Sequence, residues 1–541
     1  MNAHPRPYYY LENFTTALEW LRDRYRDLLE EDERRFMTDF AGLPVESAAL
    51  VVRMIMRQGD LFRTSKLSYS EIGCPVRAAA PLVALGWVDP QPEVSLPELG
   101  RLLRKAELCD AFGLTGNTRS VRKGELRPPP GLAAEARILR EWWPHAPDKI
   151  FRVRIAPLCE RFRLMFFGNF RQTWSEFVLA DLGVFRYEQV PLDESARAFR
   201  TREQVEHFVA LYCCRELLRA EADLDEVRGA VPAPLSDADA SWLHARRAKL
   251  LFAIGQLYEK AGRLPDALAV YQDCAHAEAR IRTIRVLEKL RRPADAAELL
   301  GRLQSAPANE LEIQLGARIR RRLERRSARA PRPDWQALDL ELPATDRRVE
   351  LAVRDHLHTE QAPVLYVENT LLNSLFGLLC WNAIFSPVAG AFFHSFQAAP
   401  ADLLDTHFRQ RRAAQFAQCL AALETGAYRD TILDTFERKA GLLSPFVAWD
   451  LTRREIELAL DCIPATHLRR CFERLLSDIR GNRSGLPDLI QLWPRERGYR
   501  LIEVKGPGDR LQDNQLRWLH FCLTQQIPVC VCKVTWRGSL P

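Results

Sequence analysis

The 541-residue chain carries 77 Lys and Arg against 71 Asp and Glu and is 47% hydrophobic. That composition is globular, too long for a single hydrophobic core, and with a net charge of only +6 it leaves any nucleic-acid surface to local clustering. Thirteen cysteines without a C-x-x-C pair read as buried reduced thiols. The absence of a leader, of an apolar run of the roughly 20 residues that span a bilayer, and of a G-x-x-x-x-G-K-[ST] loop predicts no membrane partner, no nucleotide cofactor and a cytoplasmic setting: nucleoid-associated in a bacterium, nuclear in a eukaryote.

Residues 1–92 open with apolar positions at helical spacing, Phe14, Leu18, Leu21, Tyr25 and Leu28, and continue through Phe36 and Phe40 and a helix over 46–58. The basic stretch RTSKLSY and Gly86-Trp87-Val88 follow, and together they predict a winged-helix arrangement. Arg53, Arg57, Arg63 and Lys66 would then be its phosphate contacts. Residues 93–235 begin with two short helices, 96–105 and 107–113, and a basic segment of Arg119, Arg122, Lys123 and Arg127, which resembles the SAP DNA-binding module. Ten aromatics between Trp142 and Phe185 are interleaved with Arg152, Arg154, Arg161, Arg163 and Arg171. Helical recurrence favours core packing for these rings over stacking on unpaired bases.

A Pro- and Ala-rich linker near 229–239 precedes residues 240–347, where Gly255-x-x-Tyr258 and Ala267-x-x-x-Tyr271 match a tetratricopeptide repeat. The Asp266-Ala267 pair recurs at Asp295-Ala296, so the region reads as a degenerate helical-repeat array that spaces domains or docks a protein partner. Residues 318–332 hold eight arginines, a candidate DNA-backbone stripe. Residues 348–541 then divide into a helical lead-in, 348–430, and a core, 430–541. Within the lead-in, Glu368 opens a helix apolar on nearly every side, hence buried. Arg480 and Arg483 approach the stretch that carries the chemistry.

That stretch is Arg483 to Gln515. Pro487-Asp488 leads an apolar run, a polar turn follows, and a second apolar run ends in Glu503-Val504-Lys505. Successive strand side chains alternate faces, so Glu503 and Lys505 point the same way and Val504 turns into the core. If the hairpin also brings Asp488 near, two carboxylates and an ammonium converge. Hard oxygen ligands from separate strands suit Mg²⁺ or Mn²⁺, whose Lewis acidity acts on phosphodiesters while the lysine offsets developing charge.

Pro-Asp, fourteen residues, then Glu-x-Lys is the PD-(D/E)xK nuclease pattern. With SGLPDLI before it and EVKGPGDRL at its end, the segment resembles the VRR-NUC module of the Fanconi-associated nuclease family. The resemblance implies a multidomain, mainly α protein with an α/β C-terminal part: a winged-helix and SAP-like N-terminal region, tetratricopeptide-like repeats and a restriction-endonuclease-like mixed-sheet core. It implies Glu368, nine residues before Gly377, Asp488, Glu503 and the Val504 carbonyl as metal ligands, Lys505 as catalytic lysine, and Asp509 and Arg510 as residues needed for cleavage. Arg480 is implied to hold a 5′-terminal phosphate, with Arg483 beside it, whereas Asn514 stands where some relatives carry a basic residue.

The activity implied is a metal-dependent 5′ flap endonuclease and 5′-to-3′ exonuclease acting on branched DNA and single-strand/double-strand junctions in interstrand cross-link repair. Two alternatives are a junction-resolving or restriction-type nuclease on the same core, which would act as a symmetric dimer, and a non-catalytic DNA-binding repeat scaffold. Presence of all of Glu368, Asp488, Glu503 and Lys505 argues against the latter.

Overall fold

A computed structural model describes residues 7–57, 59–114, 121–126, 128, 135–174, 186–236, 240–324 and 335–537. The chain separates into two units, Met1–Phe185 with Phe199–Val205, and Arg186–Ala198 with Glu206–Pro541. The first unit builds its core on the helical periodicity at its start. Phe14, Leu18, Leu21 and Tyr25 are buried on the helix Tyr9–Tyr25, and the helices Glu31–Ala41 and Val45–Ile55 follow. The third helix stops at Ile55, and Gln58, where the sequence predicted its end, lies outside the described residues.

The strands Leu61–Arg63 and Val88–Asp89 of the expected winged helix form, with the helix Pro75–Ala84 between them. They do not pair with each other. A third strand, Ile150–Val153, lies between them and pairs antiparallel with both. The predicted division at 92/93 is therefore crossed by a strand from the second segment. The two SAP-like helices are present as Leu96–Leu102 and Lys105–Ala111. Arg119 and Arg127 of the basic segment lie outside the described residues.

Arg63 does not serve as a surface phosphate contact. It is 6% exposed, and its guanidinium donates to Glu107 at 2.8 and 2.9 Å and to Asp148 at 2.8 Å. Arg53 is likewise engaged with Glu71, and Arg57 with the Lys66 carbonyl, whereas the Lys66 side chain is exposed. The aromatic-rich segment packs inward as expected: Phe162, Phe166, Phe167 and Trp174 are buried, with Phe14 and Trp20 against them edge to face. Four of the five interleaved arginines answer to acids, Arg152 to Glu98, Arg154 to Asp89, Arg161 to Glu33 and Arg163 to Glu160, and Arg171 is exposed. Phe177 and Phe185 lie outside the described residues.

In the second unit the repeat signature becomes helices α1 (Ser241–Lys260), α2 (Leu264–Gln272), α3 (Ala279–Lys289), α4 (Pro293–Ser305) and α5 (Glu310–Leu323). The small position matters physically: a Cβ on Gly255 would stand 2.5 Å from the Tyr271 ring, so only glycine admits the close α1–α2 approach. Ala267 and Ala296, the repeated pair, are both fully buried.

The described part of the arginine-rich stretch is not a free stripe. Arg318 grips Asp513, Arg320 meets Gln304 and Arg322 meets Glu288, while Arg325, Arg326, Arg329 and Arg332 lie outside the described residues.

The catalytic region starts earlier than the sequence indicated. Strand β1 (Gln336–Pro343), assigned to the repeats from sequence, is the edge of a five-stranded mixed sheet. After it come α6 (Val349–Leu357), β2 (Val364–Tyr366), α7 (Leu371–Leu379), a helical insertion that includes α8 (Ala465–Ser477), the hairpin β3 (Leu489–Trp493) and β4 (Gly498–Lys505), α9 (Asp513–Thr524) and β5 (Val529–Arg537). The order is β1-β5-β4-β3-β2, with β5 parallel to β1 and β4, and β3 antiparallel to β4 and β2. Every residue of α7 is buried, as its all-round apolar pattern predicts. Among the described residues, no helix is long and apolar enough to cross a membrane.

Removing Arg63 tests its reassignment. Arg63→Ala removes the cation that Glu107 and Asp148 share, leaving Glu107 only the 3.7 Å Arg104 contact, and is expected to cost about 3–5 kcal/mol in denaturant or thermal unfolding. A stable variant whose only defect is a shallower salt dependence of DNA binding would restore Arg63 to the DNA surface.

Candidate active site

The hairpin register pairs Leu489 with Ile502, which sets Asp488 beside Glu503. Asp488 Oδ2 accepts from the Val504 N–H at 2.8 Å, and the Asp488 carbonyl accepts from the Val367 N–H at 2.8 Å, extending the β2–β3 ladder. Lys505 Nζ stands 2.8 Å from Glu503 Oε1. Asp488 and Glu503 are 5% and 1% exposed. The predicted hairpin thus brings together two acids and an ammonium, and Val504 turns into the core at 2% exposed.

These acids are held where water would normally solvate them. Burial pushes Asp488 up to about 6; its Val504 hydrogen bond and Lys505 pull it back, and Glu350 and Glu368 add to the rise. Burial, then the Asp488 charge, pushes Glu503 up to about 8, against the pull of Lys505. Glu503 Oε2 is buried without a hydrogen-bond partner, and Oε1 has only the Lys505 ion pair. Two buried acids with one ammonium between them are costly, so the site suits a further cation.

Glu368 lies at the rim rather than in this buried pair. It does not open α7, as the sequence suggested, but sits in the turn after β2, exposed, with its Oε2 accepting from the Tyr366 hydroxyl. Burial and Glu368 push the Tyr366 phenol up to about 12. Among the described residues, no three His, Cys, Asp or Glu side chains are set to hold a metal ion, and Glu368, bonded to Tyr366, is not gathered with Asp488 and Glu503. The carboxyls still fit a hard divalent cation: their donors are oxygens, Asp488 and Glu503 lie side by side, and the Glu503 oxygens lack a hydrogen-bond partner.

Sequence reasoning missed Glu350. It lies in the first turn of α6, and its charge reaches Asp488 and Tyr366. No local motif marks it, because α6 meets β4 only through the fold. A Cβ on Gly506 would stand 3.6 Å from Val349.

Asp509 closes the turn after Lys505, its Oδ2 accepting from the Gly506 N–H at 2.9 Å, and Arg510 is exposed. Arg480 and Arg483 are both exposed on the segment leading to Asp488. Arg480 stands near the repeat array: together with burial, the Arg480 and Lys249 charges hold the His276 imidazole below its ordinary range. Asn514 packs against Gly485, whose Cβ would meet it at 2.8 Å. Arg63, as shown above, is structural.

Comparisons with known proteins agree with this architecture. The VRR-NUC domain model matches residues 423–536, the FAN1 HTH domain model 8–89, and the Fanconi anemia-associated nuclease SAP domain model 93–142. Fold and site together define a DNA-cleaving hydrolase of the VRR-NUC class, a class that depends on divalent metal. The Fanconi-associated nuclease 1 homolog of Pseudomonas aeruginosa is 50% identical over 99% of this chain and 97% of its own length. The Arabidopsis thaliana homolog is 23% identical over 99% of this chain and 68% of its own. A crystal structure of paFAN1 bound to 2nt 5′ flap DNA with gap superposes with a TM-score of 0.92 at 49% identity, covering 99% of this chain and 100% of that one. Its counterpart with 1nt 5′ flap DNA gives 0.91 at 48%, over the same shares. The chain belongs to the Fanconi-associated nuclease family.

The raised carboxyls give a stability signature. An acid held above its unfolded value keeps its proton in the folded state where the unfolded chain has lost it, so the folded state binds more protons. Stability therefore falls as pH rises. Without divalent ions, the nuclease region is expected to lose stability from about pH 4 to about pH 8, the span between the ordinary carboxyl values and those of Asp488 and Glu503. Glu503→Gln should raise the metal-free melting temperature at pH 8, by roughly 2–4 °C for each kcal/mol relieved. A lowered melting temperature there would show that the buried charge is already compensated.

Proposed function

We propose that this chain is a 5′ flap endonuclease and 5′-to-3′ exonuclease that uses Mg²⁺ or Mn²⁺ and serves DNA repair, including repair of interstrand cross-links. The observation that carries the reading is the pair of buried acids, Asp488 and Glu503, with Glu503 unsatisfied and Lys505 beside it. Asp488, Glu503, Glu368 and the Val504 carbonyl would hold the ion. Bound there, a divalent ion supplies Lewis-acid polarisation of the phosphodiester and lowers the pKa of the attacking water.

The residues themselves prepare the reaction. Asp488 is anchored through one oxygen by the Val504 N–H, and its other oxygen would take the ion. Lys505, on the same strand face as Glu503, places an ammonium where negative charge grows on the phosphate. Asp509 holds the turn after Lys505 in place, and exposed Arg510 beside it would meet the substrate backbone. Support for a flap substrate comes from the two homologous structures, whose bound DNA carries a 5′ flap and a gap.

Arg480 and Arg483 are placed to receive a 5′-terminal phosphate, with Lys249 of α1 in the same neighbourhood as Arg480. Exposed Lys66 is the N-terminal backbone contact that remains after Arg63 is reassigned.

Two measurements test this. Asp488→Ala is expected to abolish cleavage of a 5′ flap in Mg²⁺ or Mn²⁺ while leaving flap binding within a few-fold of wild type; retained cutting would refute the assignment. On paired substrates with 5′-phosphate or 5′-hydroxyl flaps, Arg480→Ala should cost about tenfold in cleavage of the phosphorylated flap and little on the other. Equal loss on both would make Arg480 a general backbone contact. Preferential cleavage of four-way junctions over 5′ flaps by the wild-type chain would instead favour a junction resolvase.

A further inference from the structure

Glu368 is the proposed ligand that sits exposed in a turn, so something must fix where its carboxylate starts from. The chain reverses immediately after it: Asn369 has φ of +53°, a left-handed conformation that asparagine tolerates better than most residues with a Cβ. Asn369 then reaches in two directions. Its Nδ2 stands 3.5 Å from Glu368 Oε1, and its Oδ1 accepts from the Leu486 N–H at 3.2 Å.

A second asparagine doubles the tie. Asn373 Nδ2, on the first turns of buried α7, donates to the Asn369 carbonyl at 2.8 Å and to the Arg483 carbonyl at 2.8 Å. Arg483 and Leu486 belong to the segment that delivers Asp488. That segment is pinned from its far side as well, by Trp518 Nε1 donating to the Asn482 carbonyl at 2.9 Å. The turn that carries Glu368 and the chain that enters β3 are therefore joined by two side-chain bonds, Asn369 to Leu486 and Asn373 to Arg483, in addition to the Val367–Asp488 backbone bond at 2.8 Å.

We propose that Asn369 is a positioning residue for the metal site: it locks the Glu368 turn to the Asp488 segment, so that Glu368 turns to the ion from a preset distance. Tyr366 holds the other carboxylate oxygen until then. The proposal rests on Glu368 being a ligand, and concerns what places it. A ligand on a turn loses affinity when its orienting partner is removed, typically 10- to 100-fold, whereas an asparagine that merely suits a turn contributes to stability and leaves metal affinity alone.

The test is calorimetric titration of the full chain, without DNA, with Mn²⁺ alone, on wild type, Asn369→Gly, Asn369→Ala and Glu368→Ala, with metal-free melting curves alongside. Asn369→Gly keeps the left-handed turn accessible and removes only the side-chain tie, so it carries the test even if Asn369→Ala folds poorly. The expected result is Mn²⁺ affinity about tenfold or more weaker in Asn369→Gly, with a melting temperature close to wild type. Flap cleavage should recover as Mn²⁺ is raised, with KM for the flap unchanged. Wild-type Mn²⁺ affinity in Asn369→Gly, with affinity lost in Glu368→Ala, overturns the positioning role alone. Wild-type affinity in Glu368→Ala overturns the ligand reading and this proposal with it.

Discussion

Two carboxylates buried side by side are the constraint around which the nuclease region is arranged. Asp488, immediately before β3, and Glu503, on β4 near the middle of a five-stranded sheet, lie side by side, shielded from water, and the Asp488 charge raises the proton affinity of Glu503. One lysine cannot neutralise both. The surrounding structure keeps them in that position: Val504 donates its N–H to Asp488, β5 runs parallel to β4 on its far side, and hydrophobic side chains from β3, β4 and β5, Leu489, Ile502, Val504, Cys530 and Cys532, seal one face. A pair of charges this poorly compensated by protein alone is a site prepared for an outside cation, and metal dependence follows from that electrostatic debt.

The helical insertion shares an apolar core with the sheet and α9, and the repeat array reaches the same centre through polar contacts. Helix α5 of the repeat array reaches the nuclease helices at three points: Glu310 receives Arg474 of α8, Gln314 accepts from Arg517 of α9 at 2.8 Å, and Arg318 grips Asp513 at the start of α9. Asp513 follows closely on the turn that Asp509 closes. The repeats thus bear directly on the helix behind the catalytic strand, and Lys249 comes near Arg480.

Arginine is abundant in this chain, and its fate here cautions against reading basic clusters as DNA surface. Arg63, Arg161 and Arg163 are tied to acids in or near the core of the first unit, and Arg318 and Arg322 to acids of the second. Arg480, Arg483 and Arg510 stay exposed near the catalytic hairpin, where a polyanion would approach. A linear stretch of positive charge reports composition; whether the charge faces solvent depends on which carboxylates the fold brings up beside it.

Much of the site was legible in the sequence because its signals are local. Strand alternation put Glu503 and Lys505 on one face, the Pro-Asp to Glu-x-Lys spacing spelled a hairpin, and the repeat's small and large positions survived as Gly255 against Tyr271. The all-round apolar pattern of 371–379 announced a buried helix. What the sequence did not determine involves partners distant along the chain: β1 joining β5, the strand Ile150–Val153 inserting between 61–63 and 88–89, Glu350 approaching Asp488, and Asn369 tying Glu368 to Leu486. Periodicity and spacing record which residues share a face of one element. Which elements then meet is settled by the packing of the whole unit and the need to satisfy each buried polar group, and only the tertiary structure holds that information.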